Sequence, residues 1–165
     1  MTPRSLGGLT ALLVLALDQA AKAWLLYGLR LHDFERIAVT PFLSIELLWN
    51  TGVSFSLFPQ GTAAGRWILL ALTLGATVLL AGWLWRVASR LAAVGLGAIV
   101  GGAIGNGYDR FVHGAVVDFV DFHVAGYNWY VFNVADAAIT IGVVALLYDG
   151  LLAGRRVPPP VKERA

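Results

Sequence analysis

The sequence predicts a mainly α, integral membrane protein: four transmembrane helices with a small β-sheet lying against the membrane surface. Three observations predict it. The 165 residues are 58% hydrophobic and 13% charged, with a mean hydropathy of +0.73, outside the range of ordinary soluble domains. Four apolar segments are each long enough for the roughly 20 helical residues that cross a hydrocarbon core of about 30 Å. Between the first two, a long connector turns β-branched and aromatic with partial period-2 alternation, the pattern of half-buried strands.

The first span runs from about Leu6 to Tyr27, interrupted by Asp18 and Lys22. A cleaved signal peptide is the weaker reading of this segment, because Asp18 breaks the apolar region just before the small-x-small site at Ala21, Lys22 and Ala23. The connector from Gly28 to Arg66 contains "RIAVTPFLSIELLWNTGVSF", read as short strands. The second span is the charge-free stretch Trp67 to Trp85, and the third runs from Leu91 through Tyr108. The fourth runs from about Trp129 to Tyr148 with Asp136 as its one charge, which places that carboxylate roughly 10 Å into its helix.

One domain is expected over residues 1–154, with a β-rich insertion at about 28–66 and a disordered, Pro-rich cytoplasmic tail at 155–165. With the N-terminus in the cytoplasm, the inside gathers Arg4, Arg86, Arg90, Arg155, Arg156, Lys162 and Arg164, against Arg30, Arg36 and Arg66 outside. The positive-inside rule therefore places both termini in the cytoplasm. Trp24, Trp49, Trp67, Trp83, Trp85 and Trp129 fall near span ends or in the outer connector, as an interfacial belt does. The net charge of +2 is scattered and forms no stripe, so no nucleic-acid partner is expected. The absence of cysteine excludes disulfides, thiolate metal sites and a cysteine nucleophile.

Intramembrane acids are costly enough to demand a function or a partner. Asp18 and Lys22 in "DQAAK" are four apart on one helix face and can pair. Asn50 and Gly52 in "WNTGVSF" form a turn signal, and the Asn amide can donate and accept at once. In "GGAIGNGYDRF" the glycines permit close helix approach, while Asn106, Asp109 and Arg110 follow at the outer end of the span. Arg110 is free to orient a carboxylate or a peptide carbonyl. "VVDFVDFH" supplies Asp118, among apolar neighbours that imply partial burial, and Asp121, read as a solvated loop acid.

Two apposed carboxylates tend to share one proton, so that one serves as general base toward water and the other as acid toward a scissile carbonyl. Asp136 and an acid from the third segment's outer end could meet in this way. Rival chemistries are weaker. A serine such as Ser54 or Ser56 with Lys22 is disfavoured because Asp18 stabilises the charged amine. His113 and His123 are ten residues apart and lack metal-ligand spacing on a helix. A proton-coupled carrier would require polar residues through the whole depth of the bundle, and a structural subunit leaves Asp136 unexplained.

"DQAAK", "NTGVSF", "GGAIGNGYDR" followed by "GAVVDFVDF", and "FNVADAAITIG" together resemble the lipoprotein signal peptidase (signal peptidase II) family, in order from about Asp18 to Gly142. The resemblance implies a multi-pass aspartic endopeptidase of the bacterial inner membrane, with a small periplasmic β-sheet and its active site on the periplasmic side. It implies prolipoprotein substrates whose cysteine already carries diacylglycerol, cut just before that cysteine. Carried over by motif, the catalytic pair is Asp118 and Asp136, and Asn50, Gly52, Asn106, Asp109, Arg110, Asn133 and Ala135 line or support the site. Asp18 and Lys22 match as well, without a defined role. The implied partners are lipid-modified signal peptides and membrane lipids. No cofactor or metal is implied, and a monomer suffices.

Overall fold

The computed structural model describes residues 1–52, 63–124 and 127–154. Helix α1 (Pro3–Ala23) opens on Thr2, whose hydroxyl accepts from the Ser5 N–H, and continues into a wider π-helical turn, Trp24–Gly28. A short 3-10 turn (Leu31–Asp33) leads to β1 (Ile37–Thr40) and β2 (Leu43–Asn50). Then follow α2 (Ala63–Leu84), α3 (Arg90–His113), β3 (Val116–Val124), β4 (Tyr127–Phe132) and α4 (Val134–Gly154). Among the described residues, four helices are thus long and apolar enough to cross a membrane. Trp24, Trp67, Trp83 and Trp85 are exposed at their ends.

Helix α3 is the hub. In its most apolar window 67% of residues are buried, against 17% in each of the other three, whose apolar faces point outward as lipid-facing surfaces must. Without a hydrophobic force between helices in lipid, close packing depends on small residues. Gly97, Gly101 and Gly105 recur every four residues on the face toward α1, where an added Cβ would strike Gly7, Ala11 and Asp18. Gly95 and Gly102 face α4, against Gly142 and Ala135. Gly114 ends α3 at φ +81°, a left-handed conformation that glycine adopts at little cost, and this turns the chain into β3.

The strands form one antiparallel sheet in the order β1-β2-β3-β4. Half of it comes from the connector between the first two spans, as the sequence indicated. The other half, β3 and β4, comes from a segment not read as strand, and the fourth helix begins at Val134 instead of Trp129. Residues 129–132 are apolar, which suits a strand as well as a helix, and hydropathy alone cannot separate the two. The helix start is fixed by Asn133. Its Oδ1 accepts from the Asp136 N–H at 2.9 Å, while its own N–H donates to Asp136 Oδ2 at 3.3 Å, a reciprocal capping pair. Asp136 is therefore the third residue of α4, in its first turn, and not about 10 Å inside the span.

Candidate active site

The ends of α1, α3 and β2 meet the starts of β3 and α4 where the sheet joins the bundle. Asp118 lies near the start of β3, paired with Leu48 of β2, and is fully buried. Its Oδ1 accepts from Asn133 Nδ2 at 2.7 Å and its Oδ2 from Asn50 Nδ2 at 3.1 Å. Asn50 uses its other end to accept from the Gly52 N–H at 3.1 Å, so one amide serves both as turn and as carboxylate donor. Burial raises the Asp118 carboxyl to about 6, and the charge of Asp136 adds to the effect. The two amide bonds and the Lys22 charge oppose it.

Asp136 is half-buried and accepts from Asn106 Nδ2 at 2.8 Å on Oδ1. Asn133 Nδ2 also reaches Asn106 Oδ1 at 3.0 Å. Asn50, Asp118, Asn133, Asn106 and Asp136 thus form one continuous chain in which each carboxylate oxygen accepts an N–H. The chain borders a cavity of about 140 Å³ lined by Asn50, Gly52, Asn106, Arg110, Val116, Tyr130 and Asp136. Arg110 stands within electrostatic reach of Asp136, Asp118 and Asp109, and its Nε has no hydrogen-bond partner among the described residues. A larger groove of about 510 Å³, lined by Phe122, Tyr130, Phe132, Ala137, Thr140 and Ile141, opens onto Asp136. A second apolar groove of about 540 Å³ lies between α2 and α3, near Trp67 and Tyr108.

Behind the amide chain, Asp18 and Lys22 pair at 2.8 Å as their spacing suggested, and Asp109 joins them at 2.6 Å from the Lys22 ammonium. Ala135 is fully buried and donates its N–H to Asp18 Oδ1 at 2.9 Å. All the site residues singled out in the sequence therefore fall in one assembly. Gln19 and Tyr130 were not singled out. Gln19 Nε2 bridges Asp18 and Asp109 at 3.1 and 3.0 Å, and its place in "DQAAK", a polar side chain inside an apolar span, was a signal for it. Tyr130 was hidden by the misplaced start of the fourth helix.

Asp121 departs from its reading as a solvated acid. It is fully buried and paired with Arg36, with His123 Nδ1 at 3.2 Å. Three residues along a strand lead to the opposite face, so Asp121 points away from Asp118. His113 stacks near Trp49 with ring centroids 5.6 Å apart, so the two histidines serve different partners. Ser54 and Ser56 lie outside the described residues.

The chain matches the family model described as signal peptidase (SPase) II over residues 10–152. It is 53% identical to a lipoprotein signal peptidase from Rhodopseudomonas palustris (strain TIE-1), covering 97% of this chain and 100% of that protein. A lipoprotein signal peptidase from Beijerinckia indica subsp. indica is 49% identical, with 99% and 98% covered. A solved bacterial membrane enzyme superimposes with a TM-score of 0.77 at 28% identity, covering 94% of both chains. A family match spanning most of the chain, close relatives along its whole length and a shared membrane fold agree: the chain belongs to the signal peptidase II family of membrane peptidases.

Proposed function

We propose that the chain is an aspartic endopeptidase that removes signal peptides from diacylglyceryl-modified prolipoproteins by cutting just before the lipidated cysteine, with Asp118 and Asp136 as the catalytic pair. The observation that carries this reading is the amide-linked pair of carboxylates, of which Asp136 lines both a polar cavity and an apolar groove. A peptide bond needs the acids, and a lipidated, membrane-borne substrate needs the groove.

Asp136, whose oxygens accept from Asn106 and from the Asn133 backbone, takes a proton from water. The resulting hydroxyl attacks the scissile carbonyl carbon while Asp118, which holds the shared proton, donates it to the carbonyl oxygen. Collapse of the tetrahedral diol breaks the C–N bond. Asp136 then passes its proton to the departing nitrogen and Asp118 recovers one from the diol, restoring both acids. Arg110, at the cavity wall, holds a substrate carbonyl through N–H donors.

The reading places the site on the periplasmic side of the inner membrane, with both termini cytoplasmic and a monomer as the working unit. It uses no cofactor or metal, and no nucleic acid is a partner. The test is cleavage of a diacylglyceryl-modified prolipopeptide by the purified chain in detergent, with products identified by mass. Wild type is expected to cut before the modified cysteine and Asp136→Asn to leave the substrate whole. Equal cleavage by both proteins would refute the pair.

A further inference from the structure

Each of the two carboxylates behind the amide chain holds the backbone of one candidate aspartate. Asp109 Oδ2 accepts from the N–H of Val117, the residue before Asp118, at 3.2 Å. Asp18 Oδ1 accepts from the N–H of Ala135, the residue before Asp136, at 2.9 Å. Between these carboxylates stands the ammonium of Lys22, which donates to Asp18 at 2.8 Å and to Asn106 Oδ1 at 3.2 Å and forms an ion pair with Asp109 at 2.6 Å. Asp18, Lys22 and Asp109 are no more than 2% exposed.

The bond to Asn106 does more than satisfy the ammonium. An Asn side chain can present either its oxygen or its NH₂ in a given direction, and its neighbours decide which. Asn106 Oδ1 receives donors from Lys22 and Asn133, so Nδ2 must face Asp136. The reversed amide would set its NH₂ against an ammonium and a second amide NH₂, and its oxygen against a carboxylate.

We propose that Lys22 is a positioning residue for the reaction: it orients the Asn106 amide so that Asp136 always receives a donor. The proposal rests on the reading of Asp118 and Asp136 as the catalytic pair. Lys22 touches neither substrate nor reacting atoms in this role.

Asn106→Asp tests the orientation without emptying the site, because the new carboxylate has the same shape and still accepts from Lys22 and Asn133 while opposing Asp136 with an acceptor. The expected result in the prolipopeptide assay is a folded protein whose kcat falls by about 100-fold, the usual cost of one preorganised donor. KM should stay within about threefold, as expected when only transition-state interactions are lost. Lys22→Gln should lower kcat in the same sense. Combined with Asn106→Asp it should fall no more than about threefold below Asn106→Asp alone, since both act through one amide.

Wild-type kcat in Asn106→Asp, or losses that multiply in the double variant, would overturn the proposal. If Lys22→Gln does not fold, Asn106→Asp decides by its kcat and KM. Asp136→Asn is run alongside to separate the two readings. Activity there would overturn the catalytic pair itself, whereas an inactive Asp136→Asn beside an unaffected Asn106→Asp would overturn the positioning role alone.

Discussion

Replacing Asp118 by Asn should make the protein progressively more stable relative to wild type as pH rises, even as it abolishes cleavage. Burial raises this carboxyl to about 6, so folding favours its protonated form. The sign follows from that. Below the unfolded carboxylate value near 3.8 both states hold the proton and nothing is lost. As pH climbs through about 6 the folded protein must ionise a buried group, and stability falls. A difference of about two pKa units, at about 1.4 kcal/mol each, amounts to roughly 3 kcal/mol between pH 4 and pH 8. The amide of the Asp118→Asn variant does not titrate. Its NH₂ meets one of the two amide donors from Asn50 and Asn133, at a cost of about 1–3 kcal/mol that does not depend on pH. The informative quantity is therefore the slope of the difference between variant and wild type, not its offset. At about 2–4 °C per kcal/mol for a chain of this size, the melting temperature of the variant relative to wild type should rise by roughly 6–12 °C between pH 4 and pH 8. Thermal melts of both proteins in the same detergent across that range measure it. A difference that stays flat with pH would show that Asp118 titrates as an ordinary carboxylate and would remove its assignment as keeper of the shared proton.

Wild-type kcat/KM should fall as pH rises through about 6, because the free enzyme loses the Asp118 proton, and a profile level to pH 8 would contradict this. Asp121→Asn should keep most of its activity per folded molecule while losing about 1–3 kcal/mol of stability, read by melts and by turnover on the same preparation, since it breaks the pairing with Arg36 on the far face of the sheet. Gly105→Ala places a methyl 2.5 Å from Asp18 Oδ2 and should cost about 1–3 kcal/mol together with activity, whereas Gly75→Ala, with open space around it, should change neither. Gly114→Ala forces a side chain into φ +81° and should cost about 1 kcal/mol in the same melts.

The parts of this structure that rest on local pattern were legible in the sequence. The four-residue spacing of Asp18 and Lys22 announced their pair, the glycines of "GGAIG" announced close helix contacts, and Asn50 with Gly52 announced a turn. The parts that rest on distant pairing were not. Asp121 read as solvated because its partner Arg36 lies 85 residues earlier in the chain. Strand β4 was missed because Trp129 to Phe132 suits a strand on a sheet as well as the first turn of a membrane helix. The start of α4 did carry a local signal, since Asn133 and Asp136 stand three apart as a capping pair does, but hydropathy overrode it. Asp109 was visible as a nearby acid. That it would turn back to Lys22 of α1, leaving Arg110 toward the cavity, depends on the rotation of α3 set by its two glycine faces.

An aspartate at the head of a membrane helix also answers a structural need. The first N–H groups of any helix lack partners within it, and at the edge of a bilayer water cannot be counted on to supply them. Here the N–H of Ala135 goes to Asp18 and that of Asp136 to Asn133, whose own N–H returns to Asp136. The carboxylate favours the positive end of the helix dipole in the same position. Asn133 therefore both satisfies the start of α4 and fixes Oδ2 of Asp136, whose Oδ1 is held by Asn106. Stability and activity draw on the same hydrogen bonds, so a loss of cleavage in any variant of this network assigns a role only when the melt and kcat are measured on the same protein. The isosteric exchanges Asp118→Asn and Asn106→Asp are the informative ones, because each keeps the packing and reverses a single donor or acceptor.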